Sequence, residues 1–174
     1  ILSSLLFLII FKKMVVRTDF ELLDILLNYK IISILFTILC ITFLTQAFNI
    51  IDGLNGLSLI TATLTLISIS ILAHNFQKFE ILNFSIFFII ILLGVLVFNS
   101  PFGKIFIGDA GAYLIGLYIS FSIIMLTQSD HNISALFAVY LLIYPSYELI
   151  RSFLRRLISK KIGVFQPDTK HLHS

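Results

Sequence analysis

Long apolar runs, separated by short polar breaks, constrain this chain more than any other feature. Five of the runs approach the roughly 20 apolar residues that a transmembrane helix needs, and they cover residues 31–48, 56–73, 82–98, 111–127 and 134–150. Residues 1–11 are predicted to be the end of a sixth span. The sequence therefore predicts an all-α fold: a polytopic transmembrane helix bundle that forms one domain over residues 1–174.

The composition excludes a soluble globular domain. Apolar residues make up 59% of the chain and charged residues 12%, whereas a soluble domain has about 45–50% and about 25%. The net charge of +3 does not indicate nucleic-acid binding, because the basic residues lie beside apolar segments. The single cysteine, Cys40, lies within an apolar run and is predicted to pack.

The order of the spans predicts which polar breaks share a membrane face. An even number of spans separates the tail 151–174 from the breaks at 49–55 and 99–110, so these three segments lie on one side. They hold seven of the twelve basic residues, namely Lys104, Arg151, Arg155, Arg156, Lys160, Lys161 and Lys170. Because positively charged loops stay in the cytoplasm, this face is predicted to be cytoplasmic.

The first polar group on that face is Asn49-Ile-Ile-Asp52-Gly53-Leu-Asn55-Gly56. On a continuing helix Asn49 and Asp52 would share a face, and the glycines would let a bulky ligand approach the backbone. The alternative is a helix end followed by Asp-Gly and Asn-Gly turns. The motif alone favours neither interpretation.

The second polar group runs from Asn99 to Gly108-Asp109-Ala-Gly111 and leads directly into an apolar run. Asp109 could be a helix N-cap, or it could supply a carboxylate to Mg²⁺, which takes one or two protein carboxylates together with substrate phosphates. Phe106 could stack on a nucleobase or simply pack. Asn99 could read a base edge or cap the preceding helix.

The third polar group is Pro167-Asp168-Thr-Lys-His171-Leu-His173, preceded by Arg155 and Arg156. His171 and His173 would point to the same side of an extended segment. Together with the neighbouring cations they favour a di- or triphosphate ligand. A zinc site is less favoured because the spacing is not a standard zinc pattern, and a solvated basic tail is the remaining alternative.

These residues resemble a known family, the polyprenyl-phosphate N-acetylhexosamine-1-phosphate transferases of glycosyltransferase family 4. The family includes the phospho-N-acetylmuramoyl-pentapeptide transferases. Three signatures match in order: "NIIDGLNGL", "FIGDAGAYLIG", and "PDTKHLHS" after the Arg-rich "YELIRSFLRRL". The "HLH" form is more similar to the branch that primes O-antigen, enterobacterial common antigen or teichoic acid synthesis, whose members transfer N-acetylglucosamine 1-phosphate.

The resemblance implies roles for individual residues. It implies that Asp109 binds Mg²⁺, with Mn²⁺ as an alternative, and that Asn49 and Asp52 line the nucleotide and metal site. Asn99 and Phe106 would hold uracil, and Asn55 would lie in the substrate site. His171 and His173 would act on the pyrophosphate or the sugar, together with Arg155 and Arg156.

The resemblance also implies the partners and the location. The donor would be a UDP-N-acetylhexosamine and the acceptor undecaprenyl phosphate, with UMP released at the cytoplasmic side of the bacterial inner membrane. No nucleic acid is implied, and whether the chain forms a homodimer stays open.

Several departures from the family pattern bear on activity. Relatives often have Asp where this chain has Asn55, Ser where it has Ala112, and a third His where it has Ser174. The acidic Asp-Asp pair of the family is expected upstream of Ile1, so this chain is predicted to be a C-terminal fragment that is inactive by itself. The alternatives are a transporter or channel fragment and a catalytically inactive scaffold subunit.

Overall fold

The computed structural model describes residues 2–53, 55–101 and 103–158, with only the backbone described at Arg156 and Ile158. All regular secondary structure in these residues is helical. The helices are α1 (Leu2–Phe11), α2 (Glu21–Leu27), α3 (Lys30–Ile51), α4 (Leu57–Asn75), α5 (Phe79–Asn99), α6 (Gly108–Thr127), α7 (Leu136–Leu141) and α8 (Ile143–Ile158). The predicted sites at His171 and His173 lie outside the described residues.

Four helices, α3, α4, α5 and α6, are long and apolar enough to cross a membrane. The 22 residues of α3 correspond to about 33 Å at about 1.5 Å per residue, which matches a hydrocarbon core of about 30 Å. These helices coincide with four of the predicted spans to within a few residues, so the prediction of an all-α membrane bundle is confirmed.

The fifth predicted span, 134–150, is not one helix in the structure. It is divided at Leu142 into α7 and α8, and α8 continues to Ile158. Pro145 lies in the first turn of α8, where the backbone N–H groups have no partner within the helix, so the missing N–H of proline is tolerated.

Helix α3 is the centre of the bundle and packs against α1, α2, α6 and α8, while α4 packs mainly against α5. The approach between α3 and α6 is closest at Gly116, where an added Cβ would lie 2.7 Å from the Cα of Thr45. Small residues allow such close helix packing in membranes. Outward-facing apolar side chains such as Leu35, Phe87 and Leu114 remain exposed, as expected of a surface that meets lipid.

Polar contacts close one end of the bundle, which we call the clasp end. The guanidinium of Arg17 donates to the carbonyls of Thr127 (2.9 Å), Asp130 (3.3 Å), His131 (2.7 Å) and Ile133. These carbonyls follow the C-terminus of α6, more than a hundred residues from Arg17 in the chain.

Two further side chains complete the clasp. The Gln128 amide accepts from the N–H of Arg17 and donates to its carbonyl. The Asp19 carboxylate accepts from the Ser134 hydroxyl and the Ala135 N–H, each at 2.6 Å. The segment before α2 and the loop after α6 are therefore joined by hydrogen bonds. We call the opposite end, where the α3–α4 turn meets the α5–α6 loop, the site end.

Candidate active site at one end of the bundle

The turn between α3 and α4 positions the first acidic residue of the site. Asp52 follows the last residue of α3, and its carboxylate accepts a short hydrogen bond from the hydroxyl of Ser58 in the first turn of α4. Gly56 has φ +84°, and a Cβ there would lie 2.9 Å from the Cβ of Ser100. The turn needs glycine at this position both for its conformation and for its packing.

Asn99, the last residue of α5, connects the two loops of the site end. Its side chain is buried, at 4% exposure. The Oδ1 atom accepts from the Gly56 N–H at 2.5 Å, and the Nδ2 group donates to the carbonyl of Ile105 at 2.7 Å. Both ends of the amide thus bind backbone, which fixes the α5–α6 loop against the α3–α4 turn.

Asn55 packs against the same loop from the other side. A Cβ on Gly103, which has φ +59°, would lie 2.6 Å from the Nδ2 atom of Asn55. The side chain of Asn55 remains exposed.

The second acidic residue lies across the site on α6. Asp109 is exposed in the first turn of α6, and no side chain caps that helix through a hydrogen bond. The structure therefore favours an outward-facing carboxylate over the alternative of an N-cap. Tyr113, one turn further along α6, has its hydroxyl 3.4 Å from the Nδ2 atom of Asn49 on α3.

Electrostatics link the two carboxylates. Burial raises the pKa of Asp52, the hydrogen bond from Ser58 opposes this, and the negative charge of Asp109 raises the pKa further. Two carboxylates that repel each other at the entrance of a cleft favour a bound cation. A cation bound beside Asp52 would lower its pKa and so oppose the effects of burial and of Asp109.

The site fits a hard divalent cation in the chemistry of its donors. Asp52, Asp109 and the amide of Asn49 provide oxygen atoms, the ligand type that Mg²⁺ prefers, and Mg²⁺ commonly keeps room for waters and substrate phosphates. Within residues 2–158, no group of three or more His, Cys, Asp or Glu side chains could hold a metal. A cation here would depend on substrate or on further parts of the protein for its other ligands.

The structure defines the positions of the other predicted site residues less completely. Phe106 is 72% exposed in the loop before α6, so its ring is free to stack on a ligand but contacts no defined pocket. Arg155 is partly buried on α8. The side chain of Arg156 and both histidines are outside the part of the chain that the structure describes, so their predicted roles stay predictions.

Sequence reasoning missed two residues of the site, Ser58 and Tyr113. Each has a recognisable position: Ser58 is the second residue of α4 after the Asn-Gly turn, and Tyr113 lies four residues after Asp109, on the same helical face. Spacing along α6 could have identified Tyr113. The partners of both residues depend on how the helices pack.

Two cavities lie between the helices. The first, of about 480 Å³, lies between α1, α3 and α6, and its walls combine the polar residues Thr42, Thr45, Gln46 and Tyr113 with two leucines of α6. The second, of about 490 Å³, lies between α3, α6 and α8 and extends to the clasp end. Its walls are mostly apolar and include Cys40, which was predicted to pack.

Comparisons with known proteins show the family to which the chain belongs. The family model described as Glycosyl transferase family 4 matches residues 1–127. The chain is 36% identical over 130 residues to the undecaprenyl-phosphate alpha-N-acetylglucosaminyl 1-phosphate transferase of Thermotoga maritima, covering 75% of this chain and 38% of that protein.

Two further relatives have related names. The probable undecaprenyl-phosphate N-acetylglucosaminyl 1-phosphate transferase of Bacillus subtilis is 33% identical over 138 residues, which cover 79% of this chain and 38% of that protein. A phospho-N-acetylmuramoyl-pentapeptide-transferase of Lactococcus lactis subsp. cremoris is 30% identical over 143 residues, covering 80% and 43%. The chain thus spans less than half the length of these relatives. No solved structure gives a significant match.

Proposed function

Because the chain belongs to glycosyl transferase family 4, we propose that the full-length protein transfers an N-acetylhexosamine 1-phosphate from a UDP-sugar to undecaprenyl phosphate and releases UMP. One observation carries the proposal. Asn49 and Asp52 on α3 and its turn, and Asp109 on α6, meet at one end of a bundle of membrane-length helices. A transporter is not favoured, because these charges lie at one end rather than along a path through the bundle.

The reaction is a phosphoryl transfer, in which a protein contributes mainly positioning and charge stabilisation. An oxygen of the lipid phosphate attacks the β-phosphorus of the UDP-sugar. The bond from that phosphorus to the bridging oxygen breaks, and UMP leaves with the bridging oxygen. No protein side chain has to become covalently attached.

Each group of side chains has a proposed role that follows from its position. Asp109 and Asp52, with Asn49, would hold Mg²⁺ or Mn²⁺, which when bound neutralises charge on the pyrophosphate. Asn99 holds the two loops in register through its buried hydrogen bonds. Asn55 and Phe106, both exposed, would contact the nucleotide, and His171, His173, Arg155 and Arg156 are proposed to bind the pyrophosphate or the sugar.

The acceptor has a hydrocarbon chain, and the bundle offers a place for it. The apolar cavity of about 490 Å³ is lined by Phe36 and Phe43 of α3 and by Ile143 and Ile150 of α8. A polyprenyl chain in this cavity stays in an apolar environment while its phosphate lies at the site end. We place the site end in the cytoplasm of a bacterial inner membrane because Lys104 and the arginines of α8 are at that end.

The test is Asp109→Asn in the full-length protein, assayed for UMP release from a UDP-N-acetylhexosamine with undecaprenyl phosphate and Mg²⁺. We expect a loss of at least about a hundredfold in kcat, in line with the removal of one charge-stabilising group. Asp130→Asn is the matched control, because Asp130 is at the clasp end, 3.9 Å from Lys78. Equal activity of the wild type and Asp109→Asn would contradict the proposed role of Asp109.

A further inference from the structure

Helix α8 has its apolar side outside and its polar side inside. The large apolar residues Ile143, Tyr147, Ile150, Phe153, Leu154 and Leu157 are exposed, whereas Glu148 and Ser152 are each 1% exposed. This is the reverse of an amphipathic helix in a soluble protein. It suits a helix whose outer face meets lipid while its inner face carries polar groups for a purpose inside the protein.

Glu148 and Arg151 form an ion pair on this helix. The Oε1 atom of Glu148 lies 3.6 Å from the Nη1 atom of Arg151, one turn further along, and the two side chains are 2% and 37% exposed. The carboxylate is therefore enclosed, while part of the arginine side chain reaches the surface. Burying a carboxylate in a membrane helix costs free energy, so an enclosed carboxylate is a candidate functional residue.

The pair is incompletely satisfied. Glu148 Oε1, Arg151 Nη1 and the hydroxyl of Ser152 are buried and make no hydrogen bond among the described residues. The 3.6 Å ion contact is longer than a hydrogen bond. The Nη1 atom of Arg151 is buried although the side chain is 37% exposed, so the exposed area belongs to its other atoms. Glu148 thus holds one nitrogen of the guanidinium inward without accepting a hydrogen bond from it.

The position of the pair along the membrane follows from the wall that α8 shares with α3. Both helices run from the clasp end towards the site end, and both line the apolar cavity, α3 with Phe36 to Leu44 and α8 with Ile143 to Ile150. Arg151 follows directly after that shared wall. Arg151 therefore lies at the end of the cavity wall that is nearer to the site end.

We propose that Arg151, oriented by Glu148, binds a phosphate group at the site end of α8. The inference rests on the proposed function, which supplies two candidate phosphates: that of the lipid acceptor and the diphosphate of the nucleotide donor. Arginine presents its donors as a planar fork that matches two phosphate oxygens. Glu148 is a positioning residue here, because it acts through Arg151.

The experiment measures binding to the full-length protein in detergent by the shift of its unfolding temperature. The probes are undecaprenyl phosphate, its uncharged counterpart undecaprenol, and uridine diphosphate. For the wild type we expect undecaprenyl phosphate or uridine diphosphate to stabilise, and undecaprenol to stabilise less than undecaprenyl phosphate. Arg151→Gln and Glu148→Gln should weaken the affinity for one phosphate probe at least tenfold and leave the other unchanged.

The pattern of loss identifies the source of the phosphate. A loss confined to undecaprenyl phosphate assigns Arg151 to the acceptor, and a loss confined to uridine diphosphate assigns it to the donor. Arg151→Lys should retain intermediate affinity, because the charge remains while the planar fork is lost. The matched control is Lys104→Gln, which removes one charge from an exposed residue of the site end and should leave both affinities unchanged.

Three results would overturn the proposal. The first is wild-type affinity for both phosphate probes in both Gln variants. The second is a wild-type protein that binds neither phosphate probe. The third is an equal loss of affinity for both probes in the Gln variants, together with a lower unfolding temperature in the absence of any probe. If Glu148→Gln does not fold, the Arg151 variants decide. UMP release is measured separately: a wild type that binds a phosphate probe through Arg151 but releases no UMP contradicts the proposed function and supports the site.

Discussion

The two ends of the bundle use polar residues in opposite ways. At the clasp end, the Arg17 guanidinium donates to four backbone carbonyls and pairs with Asp19 at 3.5 Å. At the site end, Asp109 is exposed and Asp52 is partly buried beside it. The charges of Arg17 and Asp19 are thus paired within the protein, while the carboxylates of Asp52 and Asp109 remain available to a ligand.

This difference separates stability from function within one small bundle. Hydrogen bonds at the clasp end join segments distant in sequence and satisfy carbonyls that follow a helix C-terminus. At the site end, the neutral residues Asn99, Ser58 and Gly56 provide the framework, and the two carboxylates are left to repel each other. The comparison predicts that substitutions at the clasp end change stability and that those at the site end change activity.

The largest stability effect is expected for Arg17→Ala. Hydrogen bonds to charged groups contribute about 1.5–3 kcal/mol each, and the partly buried carbonyls would lose their partner, so we expect a loss of at least about 3 kcal/mol in the free energy of unfolding. Thermal unfolding of the full-length protein in detergent measures this. The control is Lys78→Ala, which removes only a 3.9 Å ion pair and should cost less than about 1 kcal/mol. The folded fraction of Arg17→Ala should have the same kcat as the wild type. A different kcat would contradict the proposed contrast between the two ends.

Asp52→Asn should have a smaller stability effect of the opposite sign. Burial and the charge of Asp109 raise the pKa of Asp52, so its ionised form disfavours the folded state. That penalty is fully present above the raised pKa and is lost as the pH falls through it. Without divalent cation we expect Asp52→Asn to unfold at a higher temperature than the wild type at pH 7, and the difference to shrink as the pH is lowered.

The same variant should lose activity, because a cation would lose one carboxylate. Unfolding curves from pH 7 down to pH 4, together with UMP release, check both parts. A variant that is less stable than the wild type at pH 7 would show that Asp52 belongs to the stabilising framework, and the contrast between the two ends would then be wrong at this residue.

The smallest effect is expected for Asp19→Asn at the clasp end. The hydrogen bond from Ser134, the N–H of Ala135 and the charge of Arg17 hold the pKa of Asp19 below its usual value. The stabilisation is complete above the unfolded pKa of about 3.9 and is lost as the pH falls through the lowered value. The variant should therefore unfold at a slightly lower temperature at pH 7. An equal deficit at pH 3 and pH 7 would contradict this explanation.

Much of the architecture could be predicted from local pattern. Helices α3 to α6 were located within a few residues, because the length of an apolar run depends on the chain alone. The order of spans also predicted that Asp52 and Asp109 share one end. The division of the last predicted span could not be predicted, because no charged residue precedes Glu148 in it and Pro145 is tolerated in a first helical turn.

The roles of individual polar residues were harder to predict. Asn99 was predicted to read a base edge or to cap a helix. In the structure its side chain connects two loops through hydrogen bonds. Arg17 organises the clasp end through hydrogen bonds that no local sequence pattern predicts. Each of these roles depends on acceptors brought near by packing, such as the carbonyl of Ile133 for Arg17.

The sequence by itself determined that this chain is a membrane helix bundle with its acidic motifs at one end, because hydrophobic length and the alternation of spans are properties of consecutive residues. Tertiary structure alone decided which polar groups are satisfied and which stay open. It folded the polar face of α8 inward and placed Asn99 between two loops. Hydrogen bonds need partners within about 3 Å, and such partners come from segments that meet only when the helices pack.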